Sequence, residues 1–226
     1  MCSTKRLVLL LSIILCYTAY SQEEFEGLGE SEFALNHRFN PDYKLNFSIR
    51  SRYFMYRNKN FNFENRQLDF IHFSTINFDY YHSLSLGIQF RVRESIDGGS
   101  NELRLTQQFN YTKTNESFRF GHRLRLEQRI FDDLTALRLR YRFAIDTPLN
   151  GEKLNIGESY FLTAMEALLS LANAIKPQMG HRTTAQIGWL LSEKSKIQIG
   201  LEYRFEAFNI TTEEKLFLLS SFILKI

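Results

Sequence analysis

From Ser83 to Arg93 the chain alternates without a break. Leu84, Leu86, Ile88, Phe90 and Val92 fall on one side, and Ser83, Ser85, Gly87, Gln89, Arg91 and Arg93 on the other. A period of two is the signature of a strand, because successive side chains point to opposite faces. Ser117 to Ile130 repeats the pattern, with Phe118, Phe120, Leu124, Leu126 and Ile130 against Arg119, Arg123, Arg125, Glu127 and Arg129. Thr135 to Asp146 sets Leu137, Leu139, Tyr141, Phe143 and Ile145 against Arg138, Arg140, Arg142 and Asp146, and Lys196 to Glu206 does the same around Glu202 and Arg204. Tyr43 to Arg57, Gln67 to Tyr80, Glu102 to Thr112, Arg182 to Leu191 and Lys215 to Ile226 fit the same template. Ser31 to Phe39 and Gly157 to Leu169 fit it less cleanly, because Glu158 and Glu166 share a face with Tyr160 and Leu162.

These are eleven candidate strands, several of 11–15 residues, where strands of soluble domains run nearer 5–6. Strands of that length suit a bilayer crossed at a slant. Short connections are expected after Tyr80, Thr112 and Leu191, and longer ones at 58–65, 95–101, 147–156 and 207–214. Aromatics collect near segment ends (Tyr53, Phe54, Tyr56; Tyr80, Tyr81; Phe131; Trp189; Phe205, Phe208), as interfacial girdles require. The final strand ends on apolar residues, Phe222, Leu224 and Ile226. The fold expected is all-β: a closed antiparallel up-and-down transmembrane β-barrel. Single-chain bacterial barrels normally have an even strand number, so ten or twelve strands are expected. A secreted soluble β-barrel or sandwich that binds a ligand is the alternative reading of the same alternation.

The first 21 residues change the picture by adding an address. Lys5 and Arg6 precede an apolar run from Leu7 to Cys16, and Ala19-Tyr20-Ser21 supplies small residues for cleavage, so residues 1–21 read as a secretory signal and 22–226 as the barrel. Both cysteines, Cys2 and Cys16, lie in that signal, which leaves the exported part without a disulfide or a thiolate ligand. Removing Lys5 and Arg6 takes the formal charge from +3 to +1, too near neutral for a nucleic-acid binder. The remainder holds no apolar stretch long enough for a membrane helix. The expected destination is the outer membrane of a Gram-negative cell. Outer-membrane lipid and, during biogenesis, the barrel-assembly machinery are the expected partners.

If the apolar face meets lipid, the polar face lines a lumen. That face carries Arg91, Arg93, Arg104, Arg119, Arg123, Arg125, Arg129, Arg138, Arg140, Arg142, Lys196 and Arg204, against Asp69, Asp79, Glu102, Glu127, Asp146, Glu202 and Glu206. Arginine pairs well with carboxylates and stays charged when buried, so a salt-bridged interior is one reading. A narrow anion-attracting passage for a small anionic solute is the other. Glu158 and Glu166 decide between them if they face inward. Catalytic constellations are sparse. There is no Gly-x-Ser-x-Gly or HExxH, and Asp132-Asp133 reads as a solvated turn. His37, His82, His122 and His181 lack ligand spacing, and no cofactor is implied. Only His72 and Ser74, two apart on the apolar face, form a pair with chemistry, that of a membrane-embedded lipid hydrolase.

The segments Asn101-Glu-Leu-Arg-Leu-Thr-Gln-Gln, Arg119-Phe-Gly-His-Arg-Leu-Arg-Leu-Glu-Gln-Arg, Leu137-Arg-Leu-Arg-Tyr-Arg-Phe and Gly200-Leu-Glu-Tyr-Arg-Phe-Glu resemble the family labelled domain of unknown function 2490. The resemblance implies a small outer-membrane barrel of Bacteroidetes-type bacteria. It implies no catalytic residues and no activity.

Overall fold

A computed structural model describes residues 26–115, 117–173 and 175–226. The expected signal segment 1–21 lies outside the described residues. Eleven strands follow one another: β1 (Glu26–Arg38), β2 (Tyr43–Arg57), β3 (Asn60–Asn77), β4 (His82–Val92), β5 (Glu102–Asn115), β6 (Phe118–Ile130), β7 (Thr135–Pro148), β8 (Ser159–Ala172), β9 (Ile175–Leu190), β10 (Ser195–Glu206) and β11 (Glu213–Lys225). The one helical element among the described residues is a single turn, α1 (Glu94–Asp97), between β4 and β5. Each strand pairs with its sequence neighbours, and β1 pairs with β11 to close the barrel.

The closure corrects two expectations. The strand number is eleven, not ten or twelve, and the ladder between β1 and β11 is parallel while all others are antiparallel. The two facts have one cause. Each connection of an up-and-down sheet reverses the chain, so the first and last of an odd number of strands point the same way and can meet only in parallel. A parallel ladder is slightly weaker per residue, but an open edge would leave a whole row of peptide groups unpaired. The seam runs unbroken from Glu26↔Lys215 to Asn36↔Lys225.

The segment 58–65 is another correction. No long loop lies there; Asn58 and Lys59 alone make the turn, with φ of 52° and 63°. Two successive left-handed residues are the hairpin geometry that matches the strand twist, and Asn adopts it at little cost. Pairing therefore continues to Arg57↔Asn60. At the other end of β3 the strand stops at Asn77, so Asp79 sits in the turn 78–81 and not in a lumen. There the His82 ring and the N–H groups of Tyr81 and His82 donate to the Asp79 carboxylate and hold it below its usual range.

The start of β1 and the end of β11 lie at opposite rims. The rim where β1 starts carries connections 58–59, 93–101, 131–134, 173–174 and 207–212. The rim where β11 finishes carries 39–42, 78–81, 116–117, 149–158 and 191–194. The large apolar side chains face outward: Phe70, Leu84, Leu86, Ile88, Phe90, Leu124, Leu126, Leu139 and Leu201 are all exposed. Towards the C-terminal rim this wall is nearly continuous in rings, with centroids 6.2 Å apart for Tyr81–Tyr111, 5.8 Å for Tyr111–His122 and 4.9 Å for His122–Phe143. Inside, among the described residues, the apolar cluster of buried residues is Leu28, Phe54, Phe217 and Leu219, beside the seam.

Candidate functional site

The interior holds a cavity of about 680 Å³, and its lining runs from Arg93 and Glu206, near the N-terminal rim, to Asn46 and Gln198, near the C-terminal one. Strand alternation and register decide what faces it. Every second residue of β6 (Arg119, Arg123, Arg125, Glu127, Arg129) and of β7 (Arg138, Arg140, Arg142) turns away from the exposed apolar row. Two glycines keep room inside. A Cβ on Gly188 would lie 2.3 Å from the Tyr160 ring, and one on Gly87 would lie 2.2 Å from that of Phe73, so both rings lie flat against the wall. The half of the cavity towards the C-terminal rim is neutral and polar, lined by Asn46, Ser48, Thr75, Ser85, Gln186 and Gln198.

The other half is charged. Fourteen arginines line the cavity, Arg50, Arg52, Arg66, Arg91, Arg93, Arg104, Arg123, Arg125, Arg129, Arg138, Arg140, Arg142, Arg182 and Arg204, with Glu30, Glu32, Glu166, Glu202 and Glu206. Behind them Asp69, Glu102 and Glu127 are buried at 0%, 1% and 0% exposure. Among the described residues, the fourteen guanidinium groups thus face these eight carboxylates, and at the rim Arg66 and Arg93 reach two more, Glu26 and Asp97. Such burial is tolerable only with close pairing. Arg91 Nε donates to Asp69 at 2.7 Å, and its Nη1 donates to Glu102 at 3.1 Å. Glu102 also accepts from Arg104 at 2.7 Å and Arg129 at 2.7 Å. Glu127 accepts from Arg140 at 2.8 Å and lies 3.5 and 3.6 Å from Arg125 and Arg104. Glu166 accepts from Arg140 at 2.6 and 3.1 Å. Near the seam, Arg50 donates to Glu32 at 2.9 Å, while Arg204 contacts Glu202 and lies 3.6 Å from Glu30.

The two walls differ. Across β1 to β5 one rung reads Glu32, Arg50, Asp69, Arg91, Glu102, alternating in sign at each step. From β6 to β11 a rung reads Arg123, Arg142, Glu166, Arg182, Arg204, Lys215, with one carboxylate among five cations. Four pairs of arginines stand directly opposite each other on neighbouring strands: Arg104–Arg129, Arg125–Arg140, Arg182–Arg204 and Arg123–Arg142. Like charges so placed repel. Glu102 bridges the first pair and Glu127 the second. In the third, Arg182 has Glu206 at 3.6 Å and Arg204 has Glu202. The fourth has only the Arg123–Glu166 contact at 3.5 Å, and Arg142 makes no hydrogen bond or ion pair among the described residues.

Of the residues singled out from sequence, Arg91, Arg93, Arg104, Arg123, Arg125, Arg129, Arg138, Arg140, Arg142, Glu202 and Arg204 line the cavity, and Glu127 lies beneath them. Arg119 does not join them. It is 53% exposed and donates to Asp146 at 2.8 Å. Arg93 is tied at 2.6 Å to Asp97 of α1, in the connection between β4 and β5. Burial alone would raise the Asp97 carboxyl, yet the bonds from Arg93 and the Gly99 N–H hold it below its ordinary range. Glu166 faces inward, whereas Glu158 lies in the loop before β8 and accepts from Asn155. The sequence reading did not single out Glu30, Glu32, Arg50, Arg52, Arg66 or Arg182. On the outer wall His72 Nε2 and Ser74 Oγ are 3.1 Å apart, and His72 Nδ1 is 3.1 Å from the Asn46 carbonyl. Among the described residues no group of three or more His, Cys, Asp or Glu could hold a metal ion.

A family model described as a protein of unknown function (DUF2490) matches residues 31–214. No curated protein and no solved structure matches the chain.

Proposed function

The chain belongs to the protein family of unknown function DUF2490, and from that premise we propose that it is a non-enzymatic integral β-barrel of the outer membrane whose arginine-rich interior favours small anions. One observation carries the reading: the polarity of the wall is inverted relative to a water-soluble barrel. Asp69, Glu102 and Glu127 are buried while Phe70, Leu86, Phe90 and Leu124 are exposed. In water such an apolar wall far exceeds the patches that monomeric soluble proteins tolerate. Against acyl chains it is the favourable arrangement, and full closure meets the demand that every peptide group be bonded within the sheet. The dimensions agree. A strand of 13 residues, such as β1, tilted by about 40°, climbs about 34 Å at roughly 3.4 Å per residue, and the 11 residues of β4 about 29 Å, against about 30 Å of hydrocarbon.

Trp189, the sole tryptophan, lies on β9 two residues from the exposed Ile187 and provides the test. In vesicles containing brominated lipid its fluorescence should be quenched, and the barrel should migrate differently on gels before and after heating. A chain that stays monomeric in buffer without detergent would end the membrane reading.

The hydrogen-bonded His72–Ser74 pair supports a second reading, a lipid hydrolase at the membrane surface. The ring's Nδ1 sits against a carbonyl oxygen, which leaves Nε2 to accept the serine proton. β3 is bonded to strands on both sides, however, so its backbone donors around Ser74 are spent on the ladder rather than on an oxyanion. Lipid hydrolysis by the folded barrel that disappears in Ser74→Ala would establish this reading; activity equal in both would remove it.

A further inference from the structure

In three of the four opposed arginine pairs in the interior both members touch a carboxylate, shared in two of them. In the pair Arg123–Arg142 they do not. Glu166 is the nearest acid, but both its oxygens are taken by Arg140, at 3.1 and 2.6 Å, and only its edge reaches Arg123, at 3.5 Å. Arg142 stands opposite both Arg123 and Glu166 in the ladder, yet makes no ion pair among the described residues. Arg123 Nε is buried without a hydrogen-bond partner. Both side chains line the cavity. An unanswered donor in a protein interior is costly, and here two arginines stand directly opposite each other on β6 and β7 with a single carboxylate contact, at 3.5 Å, between them.

We infer that Arg123 and Arg142 form the seat of an oxyanion, a phosphate group carried by a small water-borne solute. The inference rests on the reading of an anion-favouring interior and assigns it a place. Guanidinium forks match the paired oxygens of phosphate in a way that they cannot match a halide. A doubly charged group offsets both cations at once, and Arg182, 4.0 Å from Glu166, stands at its edge. The cavity of about 680 Å³ leaves room for the rest of the solute beyond the phosphate.

The test is calorimetric titration of inorganic phosphate into the full chain folded in an uncharged detergent, with chloride as the comparison. Wild type should bind phosphate saturably and at least tenfold more tightly than chloride. Arg142→Gln should weaken phosphate at least tenfold, because Arg142 anchors no carboxylate whose loss would unsettle the fold. Lys153→Gln, a charge change in the loop 149–158, should leave the affinity within twofold. Phosphate should also raise the urea midpoint of wild type, while Arg142→Gln raises that midpoint without phosphate by relieving the repulsion. Phosphate bound no better than chloride, or equally well by Arg142→Gln, overturns the seat. Those failures would be seen on a barrel that still needs detergent and still shifts on heating, so they are separable from a failure of the membrane reading.

Discussion

Glu127 shows how the interior is held at the scale of single residues. It is fully buried, accepts from Arg140 at 2.8 Å, and lies within 3.6 Å of Arg104 and Arg125. Its charge therefore answers three cations on three strands, β5, β6 and β7. Replacing a buried ion pair by apolar groups can be neutral, but removing one partner leaves the other charge stranded. Glu127→Gln keeps the shape and deletes the charge, so it should destabilise the barrel by about 3–5 kcal/mol, the usual cost of breaking a buried pair. Urea unfolding in lipid vesicles checks this; a loss under about 1 kcal/mol would mean that water already screens the site. What the sequence showed at this scale was which side of the wall a residue takes, since alternation alone decides that. Which carboxylate serves which arginine was not legible. Partners such as Glu102 and Arg129, or Arg140 and Glu166, lie 27 and 26 residues apart and meet only through the register of consecutive strands, which alternation does not fix.

At the scale of elements, the eleven segments that alternate are the eleven strands, and the expectation of an even number set aside a count that the chain already displayed. Parity belongs to the sheet as a whole, and nothing local in β1 or β11 announces a parallel seam. β1 was seen only from Ser31 because Glu30 and Glu32 alternate with glycine and serine, and an outer face of Gly29 and Ser31 carries little apolar signal. Its start at Glu26 is held by pairing to Lys215, and Glu30 meets Arg52 on β2 and, beyond β11, Arg204 on β10. That omission hid the seam-side charges. β8 was blurred for a different reason. Its inner face is largely apolar, with Tyr160, Leu162, Ala164 and Leu168 around Glu166, while Phe161, Met165 and Leu171 are exposed on the outer face. Two apolar faces erase a period of two. The hairpin at Asn58-Lys59 is hidden in the sequence because the residues after it, from Asn60 to Asn65, are mostly polar; pairing there follows the turn geometry.

For the whole molecule, the arrangement of charge matters more than its sum. The chain is nearly neutral overall, yet the wall from β6 to β11 carries the uncompensated arginines, and the half of the cavity towards the C-terminal rim carries no ionised group among Asn46, Ser48, Thr75, Ser85, Gln186 and Gln198. A solute entering from that end passes Arg119, paired with Asp146 at the rim, and then neutral polar side chains before it meets a positive field on one side. Narrow, low-dielectric walls focus such a field and raise the local concentration of anions. In planar bilayers under a potassium chloride gradient, any conductance should be small and its reversal potential should lie on the chloride side. Arg142→Gln should move it towards zero, because it deletes a cation that no carboxylate touches, whereas Arg91→Gln should be the more disruptive change, since it strands Asp69 and leaves Glu102 with two partners. A potassium-selective current would place the controlling charges on the carboxylates instead, and the excess of arginines would then be a matter of packing alone.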